Sequence, residues 1–249
     1  MGFQKSTAFR LPFGCGWIAL RLMEPIIRIK GLLIDMDGLL LDTERVAEKC
    51  WMTAEVETGF QMPPHFYHSM IGLSMRSCRL ALESVMDPDC DLDDFVRIAN
   101  REYHRALEAD SVPVKPGAEA FLRYVSERGI PRCLATSTRG ELCRHKLEVT
   151  GLLPYLPFRV CGDDVEHSKP APDIYLKAAG KLGIACSDLL VLEDSENGMR
   201  AGLAAGCKVA NVPDLGMVTV ETQSQTIRVF RNLDSVLAAF ERGEILVQS

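Results

Sequence analysis

The stretch "GLLIDMDGLLLDTER", residues 31 to 45, places Asp35, Asp37, Asp42 and Glu44 directly behind an apolar run. Asp35 and Asp37 are two residues apart at a predicted strand end. Their carboxylates therefore project to one side and Met36 to the other. Gly38 then permits a sharp turn. Two ionised carboxylates about 4 Å apart repel by about 4 kcal/mol at an effective dielectric of 20. A divalent cation, or protonation of one member, relieves that repulsion. By itself the spacing also fits an acidic turn lying wholly in solvent.

Three later stretches end in groups that complement the pair. "CLATST" closes with Thr136, Ser137 and Thr138, hydroxyls beside the free N–H groups of a helix start, where phosphate oxygens can be held. Such residues also serve simply as helix caps. "HSKPAPDIY" sets Lys169 before Pro-Ala-Pro, whose restricted backbone fixes the direction of the ammonium. A lone lysine is normally a solvated surface charge. "LLVLEDSENG" ends an apolar strand with Glu193 and Asp194, the second carboxylate source that an oxygen-ligated metal requires. The competing role for Asp194 is that of a helix N-cap.

The elements that must position these groups follow from hydrophobic patterning. Strands are predicted at Ile29–Asp35, Arg132–Ser137, Arg159–Gly162, Asp188–Glu193 and Lys208–Val212. Amphipathic helices are predicted at Gly117–Glu127, Gly140–Thr150, Asp173–Leu182 and Glu196–Ala205, the last ended by Gly206. This alternation is that of an α/β fold, a doubly wound, Rossmann-like parallel sheet. Between the first strand and Lys115 the pattern turns helical: Thr43–Glu57, Ser74–Val85 and Leu92–Glu108, punctuated by Pro63-Pro64 and Asp87-Pro88. That excursion is too long for a crossover and reads as an inserted α-helical cap. The expected division is an extension at 1–25, a core at 26–43 and 113–249, and a cap at 44–112. Ligands of open α/β sheets bind at the carboxyl ends of the strands, so the cap should act as a lid.

Taken in order, acid pair, hydroxyl turn, lysine and acid pair each close a successive βα unit. In this the sequence resembles the haloacid-dehalogenase-like superfamily of phosphotransferases. "DMDGLLLDTE" resembles its first motif, "LATST" its second, Lys169 with "KPAPD" its third and "LEDSENG" its fourth. The resemblance runs from about Ile26 to Val212. "PGAEAFL", "GDDVEHSKPAPDIY" and "GMRAGLAAGCKV" are similar to the branch that holds β-phosphoglucomutase and small sugar-phosphate or nucleotide-like phosphatases.

The resemblance implies an aspartyl-phosphate mechanism. Asp35 is then the nucleophile, a role open to a positioned and screened carboxylate. Asp37 becomes the acid and base, and Lys169 the counter-charge to the phosphoryl oxygens. Mg²⁺ would be held by Asp35, the backbone carbonyl of Asp37, and Asp194, with Glu193 in support behind them. Thr136 and Ser137 would bind the phosphate, and Thr43 would touch substrate or cap the first cap helix, with Asp42 a similar candidate.

Within that branch the expectation is a phosphatase acting on a small phosphorylated metabolite. The mutase pattern carries a histidine five residues after the aspartate of "DT", where this chain has Ala47. It also carries an arginine three residues after the glycine of the cap loop, where "IGLSMRS" supplies Met75, with Arg76 one place late. A binding or regulatory protein on the same scaffold would be marked by loss of Asp35, Asp37 or Lys169, and all three are present. Dehalogenation needs neither the second aspartate nor magnesium. In the cap, His65 and His68 are candidate substrate contacts or ordinary exposed residues, and Trp51 is expected in the cap core. "DMDGLLLDTER", "PGAE" and "VPD" also resemble pseudouridine-5′-phosphate phosphatases, which adds a nucleotide-like substrate to the candidates.

Global composition sets the bounds on partners. The 249 residues are 47% hydrophobic and 25% charged, with a formal net charge of −6. No basic run could follow a polyanion, so nucleic acid is not an expected partner. The nine cysteines include no C-x-x-C pair, and Cys133, Cys161 and Cys207 lie in or beside apolar runs, the usage of a reducing cytoplasm. In residues 1–22 only ten residues separate Arg10 from Arg21, too few to span a bilayer, and no membrane partner is expected. This segment faintly resembles a signal peptide but lacks a small-residue cleavage site, so it reads as a loosely ordered extension with Met23 as a candidate start. A monomer or weak homo-oligomer is expected.

Overall fold

A computed structural model describes residues 25–73, 75–87, 90–108 and 112–248. The segment 1–22, Met23 and Ser74, on which expectations above fall, lie outside the described residues. The chain opens with strands β1 (Ile27–Ile29) and β2 (Gly31–Ile34), followed by helices α1 (Thr43–Thr58), α2 (Phe66–Met70), α3 (Met75–Glu83) and α4 (Leu92–Glu108). Alternation then sets in: α5 (Ala118–Glu127), β3 (Arg132–Ala135), α6 (Gly140–Val149), β4 (Phe158–Val160), α7 (Asp173–Leu182), β5 (Leu189–Glu193), α8 (Glu196–Ala204) and β6 (Lys208–Asn211). The chain closes with α9 (Val220–Gln225), β7 (Arg228–Val229), α10 (Leu233–Glu241) and β8 (Ile245–Val247).

The main sheet has the order β4-β3-β2-β5-β6-β7, all parallel. Central strands of such a sheet are covered on both faces, which is why "GLLI" and "LLVLE" are apolar throughout rather than alternating. One face, with Leu32, Ile34, Leu134, Leu190 and Leu192, packs against α5, α6 and α10. The other, with Leu33, Ala135, Val160, Val191 and Val209, packs against α7 and α8. The chain runs outward from β2 through β3 to β4, then returns to lay β5 on the opposite flank of β2. The switch point therefore falls between β2 and β5, the position where doubly wound sheets open a crevice. Register makes it a level platform, because Ile34 lies opposite both Leu192 and Leu134.

Besides the short helix α2, which falls between the predicted helical stretches, two features depart from the sequence expectations. The predicted first strand, Ile29–Asp35, is in fact two strands. β1 leaves the main sheet and pairs in parallel with β8. The chain enters the main sheet at Gly31, where a Cβ would lie 2.9 Å from the Pro131 carbonyl, so that only glycine fits. The segment after Val212 adds α9, β7, α10 and β8, and α10 fills the first face with Leu233, Val236 and Phe240.

Helices α1 to α4, the segment expected to be the cap, lie between β2 and α5 in the chain and pack around an apolar cluster of their own. Trp51, Phe60, Tyr67 and Phe95 meet edge to face at ring separations of 5.5–5.8 Å, and Trp51 is buried there as expected. The two segments joining cap to core run side by side: Asp42 N–H donates to Pro113 O at 2.7 Å and Lys115 N–H to Leu40 O at 2.9 Å. Arg45, in the first turn of α1, and Lys115 converge on Asp214, which accepts from them at 2.8 Å and 2.5 Å. Because Phe95 is fully buried between two other rings, Phe95→Ala should destabilise the protein by about 3–5 kcal/mol. A denaturant midpoint unchanged from wild type would show that this cluster does not hold the cap together.

Candidate active site

Asp35 follows β2 directly, and its N–H donates to Leu192 O on β5 at 3.2 Å, which fixes it over the switch point. Its Oδ1 accepts from Lys169 Nζ at 2.6 Å. Lys169 comes from the loop before α7 and is itself buried; it also donates to Glu193 Oε1 at 2.6 Å and to the Ala135 carbonyl at 3.1 Å. Burial pushes the Asp35 carboxyl well above its ordinary range, while the charge of Lys169 opposes this. For Lys169 burial favours the neutral amine, but the charges of Asp35 and Glu193 outweigh it and hold the ammonium firmly protonated.

Glu193 is the last residue of β5 and has no accessible surface. Its Oε1 accepts from Lys169 and, at 2.7 Å, from the hydroxyl of Tyr175 on α7. Its Oε2 accepts from the backbone N–H of Asp194 and from the N–H and hydroxyl of Ser195, at 3.0–3.2 Å. The carboxylate thus sits against the amino end of α8, where the helix dipole favours negative charge. Gly198 makes this approach possible, since a Cβ there would fall 1.8 Å from Glu193 Oε1. The N-cap of α8 is Ser195, whose Oγ accepts from Gly198 N–H at 3.2 Å. The capping role weighed for Asp194 belongs one residue later, because the strand carries the chain through Glu193 and the helix begins only at Glu196.

That leaves Asp194 free of capping. It is 1% exposed, and both its carboxylate oxygens are buried without a hydrogen-bond partner among the described residues. An unpaired buried carboxylate is costly. Burial pushes its carboxyl well above the ordinary range, and the charges of Glu193 and Asp35 push the same way. One oxygen each from Asp35, Glu193 and Asp194 lie within 4.8 Å of one another. Glu193 is already saturated with donors, whereas Asp194 is not. An oxygen-seeking dication fits this set, since it supplies the charge that Asp194 lacks.

The carboxylate of Asp37 faces a different set of groups. Its Oδ1 accepts from Thr43 Oγ1 and from Lys146 Nζ, each at 2.6 Å. Its Oδ2 accepts from Thr138 Oγ1 at 2.6 Å and, more weakly, from Thr136 Oγ1 at 3.4 Å. Burial works to raise its pKa, but the charge of Lys146 and these hydrogen bonds prevail and hold the carboxyl below its usual value. Asp42, at the N-cap position of α1, makes no capping hydrogen bond and pairs instead with Arg45 at 2.6 Å. Ser137 makes no side-chain hydrogen bond among the described residues; its carbonyl lies under Gly162, where a Cβ would come within 2.2 Å.

The cap closes down on this platform. A Cβ on Gly72 would stand 2.7 Å from Ser195 Cβ, and one on Gly216 3.3 Å from Ile71, so glycines allow the 71–72 turn to rest beside Asp194. From α1, Glu44 accepts from Tyr67 Oη at 3.0 Å, and burial, reinforced by the charge of Asp37, raises its carboxyl to about 7. His68 pairs with Glu48 at 2.9 Å, and His65 adopts a left-handed backbone at φ 62°.

Asp35, Asp37, Thr43, Thr136, Lys169, Glu193 and Asp194 are thus brought to one cluster. Thr138, Lys146 and Tyr175 join it without having been assigned there from sequence. Thr138 had its signal in the hydroxyl run. Lys146 also had one: it shares the inward face of α6 with Cys143 and Leu147, a charge on an apolar stripe. Tyr175 reads simply as core and carries no such mark.

The chain matches the model of the family described as haloacid dehalogenase-like hydrolase over residues 32–212. Hexitol phosphatase A of Escherichia coli is 29% identical over 89% of this chain and 100% of its own length. A Drosophila melanogaster protein named probable pseudouridine-5′-phosphatase is 31% identical over 80% of this chain and 88% of its own. Among solved structures, a family hydrolase of Deinococcus radiodurans superposes with a TM-score of 0.72 at 24% identity, covering 87% of this chain and 96% of that one. A β-phosphoglucomutase of Clostridium difficile gives 0.70 at 20% identity, covering 87% and 97%. Motifs, fold and family match agree: the chain belongs to the haloacid dehalogenase-like hydrolases.

Proposed function

We propose that the protein is a Mg²⁺-dependent phosphatase that hydrolyses a small phosphorylated metabolite, a sugar phosphate or nucleotide-like monophosphate, through an aspartyl-phosphate on Asp35. The observation that carries this reading is the pairing of a lysine-bound Asp35 with a buried Asp194 whose carboxylate has no hydrogen-bond partner among the described residues. One carboxylate is screened and aimed, and the other is available to a cation.

Asp35 attacks phosphorus as its ester bond breaks. Asp37, after taking up a proton from water or from the bound phosphate monoester, gives it to the departing alkoxide and then, as a carboxylate again, takes one from the water that cleaves the acyl phosphate. Lys169 offsets charge on the phosphoryl oxygens, with Thr136 and the backbone of Ser137 as further donors. Asp35, Asp194 and the Asp37 carbonyl would hold Mg²⁺, which, when bound, neutralises phosphate charge. Glu193 orders this set by holding Lys169 and the start of α8. The 44–112 cap supplies the leaving-group side of the pocket. Two relatives bear names as phosphatases of a hexitol phosphate and of fructose 1-phosphate, and another is named for pseudouridine 5′-phosphate. Ala47 and Met75 weigh against a mutase. The free state of all eight described cysteines favours a reducing, cytoplasmic setting. Among the described residues no helix is long and apolar enough to cross a membrane.

A panel of hexitol, hexose and nucleoside monophosphates assayed for Mg²⁺-dependent phosphate release tests the reading; release undiminished in excess chelator would contradict the metal's role. Asp35→Asn should abolish turnover in a folded protein. A retained tenth of the activity, only about 1.4 kcal/mol of barrier, would point to another nucleophile. Gly38 has φ +83°, and a Cβ there would meet Asp194 Oδ2 at 2.1 Å. Gly38→Ala should therefore raise the Mg²⁺ concentration needed for half-maximal rate on the order of 10- to 100-fold. An unchanged requirement would place the metal away from Asp194.

A further inference from the structure

Lys146 has no part in the chemistry just described, yet it is 3% exposed and projects from the core-facing stripe of α6. Lysine tolerates such burial when its ammonium is paired. Here Nζ bonds Asp37 Oδ1 at 2.6 Å and lies 5.3 Å from the centroid of the Tyr103 ring, which α4 brings from the cap. The site's other buried cation, Lys169, is committed to Asp35, Glu193 and the Ala135 carbonyl. Thr43, Thr136 and Thr138 also bond Asp37, but each is a neutral hydroxyl with one proton to give. The charged, rigidly mounted donor to this carboxylate is Lys146.

We propose that Lys146 is a positioning residue for Asp37, fixing the plane of the proton-transferring carboxylate between Thr43 and Thr138. Tyr103 covers the ammonium from the cap side, so core and cap set that plane together. The inference rests on the phosphatase reading and deepens it. An alkyl phosphate needs a proton on its leaving oxygen, whereas 4-nitrophenolate departs without one. Loss of alignment at Asp37 should therefore separate the two substrates in kcat/KM, which reports the steps up to the first irreversible departure.

The test compares wild type and Lys146→Met on 4-nitrophenyl phosphate and on the best alkyl monophosphate of the panel above. The expected result is a fall in alkyl kcat/KM on the order of tenfold or more, with the aryl value within about threefold of wild type. Inhibition by vanadate, which engages the phosphoryl site, should be unchanged. Should Lys146→Met fail to fold, Lys146→Gln keeps a donor and much of the stem and carries the same comparison. Equal losses on both substrates would reduce Lys146 to a structural ion pair and overturn the proposal, as would wild-type values on both. Wild-type protein inert toward every phosphate would instead sink the phosphatase reading itself, and this role with it.

Discussion

The crowding of negative charge at the carboxyl ends of β2 and β5 constrains everything around it. Asp35, Asp37, Glu193 and Asp194 meet there, largely withdrawn from water, and each would be expensive alone. The fold offsets three of them by different means. Lys169 bridges Asp35 and Glu193, the amino end of α8 supports Glu193 again, and Lys146 with three hydroxyls holds Asp37. Asp194 is left over. Its position at the end of an apolar strand leaves that carboxylate buried with no counter-charge among the described residues.

The same crowding dictates where side chains must be absent. Gly38, Gly72 and Gly198 each occupy a place where a methyl group would strike Asp194, Ser195 or Glu193. Without them the strand ends, the cap turn and the helix start could not converge at hydrogen-bonding distance. Farther out, Asp214 gathers Arg45 from the first turn of α1 and Lys115 from the segment that returns to the core. The two connecting segments also exchange backbone hydrogen bonds, so the cap is tethered by a short, paired hinge rather than by loose linkers.

Much of this could be read along the chain. The all-apolar runs at residues 31–34 and 189–192, separated by amphipathic helices, announce a covered parallel sheet. Asp35, Asp37 and Asp194 stand just past such runs, so their neighbourhood is a local property, whereas Lys169 is marked instead by the Pro-Ala-Pro that follows it. Local patterning misled at Ile29: the predicted strand runs through Lys30, but the observed strands do not, because the chain changes sheets at the crowded Gly31. Strands β7 and β8 are hard to read for a related reason, since they are only two and three residues long and owe their strand character to their partners.

Residue types and their place beside strand ends, both written into the sequence, therefore determined the chemistry on offer: carboxylates, a lysine and hydroxyls beneath a helical insert. Tertiary structure alone decided which charge answers which. Lys146 is 109 residues from Asp37, and Tyr175 is 18 from Glu193, and neither pairing follows from any local periodicity. Both depend on strand order and on which face each helix turns to the sheet. Partnership between distant side chains is a matter of packing, and packing is settled only when the whole chain closes on itself.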